Sequence, residues 1–305
     1  MRVRLLRWLL GAPPAIVGGG WHGDAICLVR IDRNTEGRSQ VDCAYEVLPA
    51  EWSSGVDSQG HVRANTLKSL LERWGNSPKR LALGIPAGDV FIKTIDVPLG
   101  LEERDLMQLA VVEAVANLPV PPEEVCADYL RMGSPVRSGQ QQIKIAFCRR
   151  EIIDDLALMA EDAGAQLAMI DRDIQAIHDA ALWLIARHAP EVQVEYPLLL
   201  LLITDSPTLI VARDELDLVQ YSLQITDLVE QIHASCRRAG LSDDAGLRDL
   251  WVFQTPGVDD NLVSLLAMRQ GPVHWLVPEE ILGVSTMPPL TLLVTALGMA
   301  LRETA

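Results

Sequence analysis

The sequence predicts an α/β protein built from two related lobes. Strands in runs of two or three give way to helix–strand alternation, and this happens twice along the chain. A polar, proline-containing stretch at residues 186–197 (ARHAPEVQVEYP) divides the two runs. The length of 305 residues suits two domains of ~150 residues each. Helices packed on mixed sheets follow from that order. The strict βαβ alternation of a dinucleotide-binding fold does not.

The chain opens on MRVRLLRWLLGAPP, in which Arg2, Arg4 and Arg7 interleave with Leu5, Leu6, Trp8, Leu9 and Leu10. Arg7 interrupts the ~7–15-residue apolar core that a secretory signal needs. Two readings remain open for residues 1–16: a basic-apolar segment that skims an anionic membrane surface, or a frayed terminus. The Gly18-Gly19-Gly20 run reads as a flexible entry to the core. Residues 25–31 and 40–47 read as strands joined by the polar turn DRNTEGRS. Leu67, Leu70, Leu71 and Trp74 fall at helical spacing, with Gly75 as a stop. KRLALGIP, residues 79–86, is an apolar strand ended by proline.

A second module follows. VFIKTIDV, residues 90–97, reads as a strand, and residues 101–118 as a helix with acids in its first turn, favourable against the helix dipole. Pro119, Pro121 and Pro122 stop that helix. Two further strands, 125–131 and 141–149, surround a Gly/Ser/Pro loop. The first module then resumes. Ile152, Leu156, Met159 and Ala163 form one helical stripe, 166–170 a short strand, and Ile174, Ile177, Ala181 and Leu184 another stripe. His178 and His188 beside it have no spaced partner and read as partly buried or surface histidines.

The second half restarts with strands at 198–203, 208–212 and 216–221. A helix carrying Val229, Ile232 and Cys236 stops at Gly240. A strand at 250–253, a helix at 261–268, a strand at 273–277 and an apolar helix at 290–301 complete the chain.

Composition narrows the function. Lys and Arg number 26 against 41 Asp and Glu, a formal net charge of -15, which repels nucleic acid. No stretch approaches the ~18 apolar residues of a membrane span. Five cysteines, an odd number without a C-x-x-C pair, read as reduced core thiols of a cytoplasmic protein. The P-loop, G-x-S-x-G and H-E-x-x-H patterns are all missing. The acid pairs Asp154-Asp155, Asp243-Asp244 and Asp259-Asp260 sit at helix starts or loops, where capping or solvation explains them. No catalytic residue and no metal ligand is assigned.

Four strings carry a family resemblance: LALGIPAGDVFIKTIDVP (81–98), LEERDLMQLAVVEAVANLPVPPEEVCADY (101–129), IAFCRREIIDDLALMAEDAGAQLAMID (145–171) and TLLVTALGMALRE (291–303). In their order they resemble the PilM family of type IV pilus assembly proteins and its MshI relatives in mannose-sensitive (MSHA) pilus biogenesis. Glu113 and Ala114, then Pro119, Glu124 and Asp128, look like the family's E-A…P…E-x-x-x-D stretch. The resemblance implies a two-lobed actin-like, ribonuclease H-like fold with an inserted FtsA-type subdomain and a shortened second lobe. The implied limits are 17–89 and 150–190 for the first lobe, 90–149 for the insert, 197–286 for the second lobe and 287–305 for a helix closing on the first.

The resemblance also implies a cytoplasmic adaptor, peripheral at the inner membrane. It would bind the N-terminal cytoplasmic tail of a bitopic PilN-like protein, in a groove between the insert and the first lobe, and so link the assembly platform to the pilus motor ATPase. The positions matched to this partner surface are Ile92, Pro98, Glu113, Leu118 and Pro119; core packing for Ile92 and Leu118, and helix ending for Pro119, are the competing readings. Actin-like ATPases hold phosphates on two D-x-G hairpins. Here Gly23 and Asp24 come in the wrong order, Asp205 is followed by Ser206 and Pro207, and Gly257 stands where a G-G pair is usual. With all three nucleotide elements eroded, the expectation is an adaptor with no cofactor and no ATP hydrolysis. The alternatives are a divergent ATP-binding switch and a type II secretion component of the same fold.

Overall fold

The computed structural model describes residues 16–22, 25–33, 39–48, 56–75, 79–132, 139–242, 248–257, 260–269, 271–284 and 288–302. The N-terminal segment up to residue 15, Gly23, Asp24, Asp243, Asp244 and Asp259 lie outside them. In chain order the strands are β1 (Ile16–His22), β2 (Ala25–Arg33), β3 (Ser39–Val47), β4 (Lys79–Ile85), β5 (Phe91–Pro98), β6 (Val125–Arg131), β7 (Gln140–Arg149), β8 (Ala165–Arg172), β9 (Leu198–Leu202), β10 (Thr208–Ala212), β11 (Leu218–Ser222), β12 (Leu250–Phe253) and β13 (Val273–Leu276). The helices are α1 (Val56–Glu72), α2 (Glu103–Asn117), α3 (Arg150–Asp162), α4 (Asp173–His188), α5 (Leu228–Arg238), α6 (Asp260–Ala267), α7 (Pro278–Leu282) and α8 (Leu290–Leu301).

Two sheets repeat one topology. The first runs β3-β2-β1-β4-β8 and the second β11-β10-β9-β12-β13. In each, the first three strands form an antiparallel meander and the last two join parallel to it. This duplicated order is the actin-like architecture that the family strings imply. The third sheet, β5-β7-β6, is antiparallel throughout. Its chain leaves the first sheet after β4 and returns to it through α3 and β8.

The largest core lies between the two five-stranded sheets. Cys27 and Val29 of β2, Leu198 and Leu200 of β9, Ile177 and Leu184 of α4, and Leu293 and Leu297 of α8 all belong to it. Helix α8 is apolar around its whole circumference, and ten of its residues are buried, as a helix clamped on all sides must be.

The glycine run is the main correction to the sequence reading. Gly18, Gly19 and Gly20 are buried inside β1, which pairs with both β2 and β4. A Cβ on Gly18 would stand 2.0 Å from the Ala296 carbonyl oxygen, and one on Gly20 2.4 Å from that of Leu292. The run is therefore a groove in the strand that lets α8 approach backbone to backbone, and it is not a flexible entry. Gly298 serves the opposite side of α8, where a Cβ would lie 1.8 Å from the Ala176 carbonyl oxygen. Residues 216 and 217 likewise belong to the turn before β11 and not to a strand.

Among the described residues the five cysteines form no disulfide, and Cys27 Sγ lies 3.5 Å from Cys43 Sγ. Cys27, Cys148 and Cys236 are buried, and Cys43 and Cys126 half-buried. Among the described residues, no helix is long and apolar enough to cross a membrane.

Candidate functional site

The insert's sheet has two faces, and the period-2 alternation of its strands decides what each one meets. Val97 of β5, Val125 of β6 and Ile143, Ile145 and Phe147 of β7 point to one face. Helix α2 covers that face with Leu106, Ala110 and Ala114, spaced by four so that they share one side of the helix. The intervening residues turn the other way. Ile92 pairs with Ala146, Asp128 with the same Ala146, Leu130 with Lys144 and Cys126 with Cys148. These side chains form one wall of a groove of about 680 Å³.

The opposite wall is β8, from Leu167 to Arg172. Both β6 and β8 end their sheets, so each is hydrogen-bonded to a neighbouring strand on one side only. The groove thus runs between two strand edges. Ile92, Leu130 and Met169 stand exposed along it, an unpaired apolar surface at the seam of insert and first lobe.

One end of the groove is polar. The β10–β11 turn of the second lobe reaches it. Lys144 Nζ donates to the Leu216 carbonyl at 2.5 Å, and Gln175 Nε2 donates to the Glu215 carbonyl at 2.9 Å. Arg302, just past α8, bridges Asp171 at 2.5 Å and Asp179 at 2.8 Å. Burial pushes the Asp171 carboxyl above its ordinary range even though Arg302 pulls it back. Asp179 also accepts a hydrogen bond from His178 Nδ1 at 3.1 Å, and His178 Nε2 lies 3.0 Å from the Tyr196 hydroxyl oxygen. His178 is thereby a buried structural histidine.

Of the residues marked in the sequence as partner-facing, Ile92 lines the groove. Glu113 sits on α2, across the sheet, and pairs with Lys93 at 2.6 Å. Leu118 is buried with the α2 residues, Pro119 is exposed just beyond the helix, and Pro98 is exposed at the end of β5. The structure therefore does not gather these five in one place. Of the groove's charged members, Asp128 belongs to the family's E-x-x-x-D stretch, whereas Lys144, Asp171, Arg172 and Arg302 were not singled out in the sequence. Their one signal was charge inside apolar strings, as in IKIAF and GMALR.

Of the residues marked for nucleotide, Gly23 and Asp24 lie outside the described residues. Asp205 is exposed in the turn after β9, which is closed by Thr204 Oγ1 donating to the Ser206 carbonyl at 2.7 Å. Pro207, buried next to it, has no N–H to offer a phosphate. Gly257 is exposed after β12 with φ +94. A phosphate cradle is built from several convergent backbone N–H groups, and Pro207 removes one from the turn after β9. Among the described residues, no cluster of three or more His, Cys, Asp or Glu could hold a metal ion.

The model for the type IV pilus assembly protein PilM matches residues 22–216. A solved PilM-PilN type IV pilus biogenesis complex aligns over 95% of this chain and 99% of that one, with a TM-score of 0.64 and 17% identity. The cytoplasmic domain of EpsL, an inner-membrane component of the type II secretion system of Vibrio cholerae, aligns over 93% of this chain and 91% of that one, with a TM-score of 0.51 and 10% identity. The two structures share the fold, and the family model spans the first lobe, the insert and the start of the second lobe. The chain belongs to the PilM family of type IV pilus assembly proteins.

Proposed function

We propose that this protein is an adaptor at the cytoplasmic face of an inner-membrane pilus or secretion platform. It receives the N-terminal cytoplasmic tail of a bitopic, PilN-like membrane protein and acts without hydrolysing ATP. One observation carries the reading: the 680 Å³ groove, lined mainly by apolar side chains, lies between the edge strands β6 and β8. A strand edge presents backbone N–H and C=O groups at the spacing of an extended chain, and a peptide laid along it gains main-chain hydrogen bonds while alternate side chains enter pockets. Ile92, Leu130 and Met169 offer such pockets their apolar lining. The solved PilM-PilN complex supports a partner of this class.

The test is a calorimetric titration of the full chain with a synthetic peptide copying the N-terminal cytoplasmic tail of the PilN-like protein from the same organism. Saturable one-to-one binding supports the adaptor. A folded protein that gives no heat and no thermal stabilisation at millimolar peptide refutes it.

A further inference from the structure

The groove does not end at the β10–β11 turn. A second cavity of about 440 Å³ continues beyond it, lined by Thr94, Gln142, Arg213 and Asp217 among others. Ile92, Lys144, Arg172 and Leu216 line both cavities, so these four mark the junction of one continuous passage. The passage is apolar between β6 and β8 and charged past the junction.

Most charges along it are already matched. Arg302 is committed to Asp171 and Asp179. Arg213 pairs with Asp217 at 2.8 Å. Asp214 accepts the backbone N–H groups of Leu216 and Asp217, both at 2.8 Å, and Asp128 accepts that of Tyr129 at 2.8 Å. Two cations at the junction, Lys144 and Arg172, make no ion pair with a described residue, although Asp217 and Asp214 act on the first and Asp173 and Asp171 on the second from farther away. Lys144 donates to a backbone carbonyl, which leaves its charge without an ion-pair partner among the described residues. The Arg172 guanidinium makes no hydrogen bond to any described residue, and its Nε is sealed from solvent without an acceptor. Each is held below its ordinary pKa, first of all by burial.

We propose that Lys144 and Arg172 form a carboxylate-binding station, and that the docked tail places an acidic side chain there while its apolar residues occupy the groove. This rests on the adaptor reading above and deepens it, naming what the groove selects for. A partly desolvated cation with spare donors is an incomplete interaction. A carboxylate completes it with charge-assisted hydrogen bonds, of which the planar guanidinium can give two in parallel. The apolar stretch then supplies contact area, and the station supplies register: a tail shifted by one residue brings its acid to the wrong face.

The test uses fluorescence anisotropy on the full chain, with two labelled peptides. One is the native tail of the PilN-like protein, and the other has its Asp and Glu replaced by Asn and Gln. The parent protein should bind the native tail at least tenfold more tightly than the amide tail. Lys144→Gln and Arg172→Gln should each lose that discrimination, and Lys144→Arg, which keeps the charge, should retain it. Far-ultraviolet circular dichroism and thermal unfolding of each variant check that the fold persists; the amide tail leaves the protein unaltered and needs no such check. Equal affinity of the parent for the two tails, or discrimination that survives in both glutamine variants, overturns the station and leaves the adaptor standing. A parent that binds neither tail overturns both.

Discussion

Gly18 in β1 and Ala296 in α8 meet backbone to backbone, with space for no atom beyond hydrogen on the glycine Cα. A methyl group there would lie 2.0 Å from the Ala296 carbonyl oxygen and 2.3 Å from the Ala300 nitrogen. Backbone cannot swing aside as a side chain does, so strand and helix must separate. Gly18→Ala should therefore destabilise the protein by about 3 kcal/mol or more, at the upper end of overpacking effects. Gly88→Ala is the matched control: its added methyl meets nothing within 4 Å, and its effect should stay within about 0.5 kcal/mol. Urea unfolding of the two variants measures both.

That contact also shows what the sequence could and could not reveal. Helix α2 and strands β5, β6 and β7 were legible, because residues four apart on α2 and alternate residues on the strands carry the local period. β1 was not, because IVGGGWH has weak strand propensity and owes its conformation to α8, nearly 280 residues later in the chain. The site divided in the same way. Ile92 stood out through a family string, whereas Lys144 in IKIAF reads as an ordinary solvent-side residue of an alternating strand. Its role depends on Leu216, 72 residues away, and no local pattern encodes that meeting.

Glu279, in the first turn of α7, is buried, and both carboxylate oxygens lack a hydrogen-bond partner among the described residues. Burial pushes its carboxyl above the usual range. A raised folded-state pKa means that the unfolded chain releases its proton first as pH rises. The contribution to stability is fully present below the unfolded-state value and is lost as pH climbs through the folded one. Glu279→Gln removes that loss. The variant should be more stable than the parent at neutral pH by about 1 kcal/mol, a typical gain from relieving one unfavourable group. The gap should close as pH falls below the ordinary glutamate range. Thermal unfolding from pH 4 to 8 follows it.

The eroded nucleotide elements lead to a binding experiment. The turn at Asp205 spends the Ser206 carbonyl on Thr204, exposes its acid and carries a buried proline in place of a donor. Calorimetric titration with ATP and Mg²⁺ should give no saturable heat, and millimolar nucleotide should leave the unfolding temperature unchanged. Asp205→Ala should match the parent in both measurements. Micromolar binding by the parent that Asp205→Ala abolishes would instead identify a working nucleotide switch.

The two faces of the insert's sheet give the sharpest contrast for partner binding. Met169 faces the groove from β8 and is exposed, so Met169→Asp adds a charge to the apolar surface without opening the core. A tail that buries its apolar side chains against this surface must then desolvate a carboxylate, and affinity should fall at least tenfold. Glu113→Lys alters the other face, where the acid pairs with Lys93 on the α2 side. Both partners of that pair reach solvent, so its loss should change stability by less than about 1 kcal/mol. Because the sheet itself separates Glu113 from the groove, tail affinity should stay within twofold of the parent. The reverse pattern, with Glu113→Lys abolishing capture and Met169→Asp leaving it intact, would move the partner from the β6–β8 groove to the α2 face.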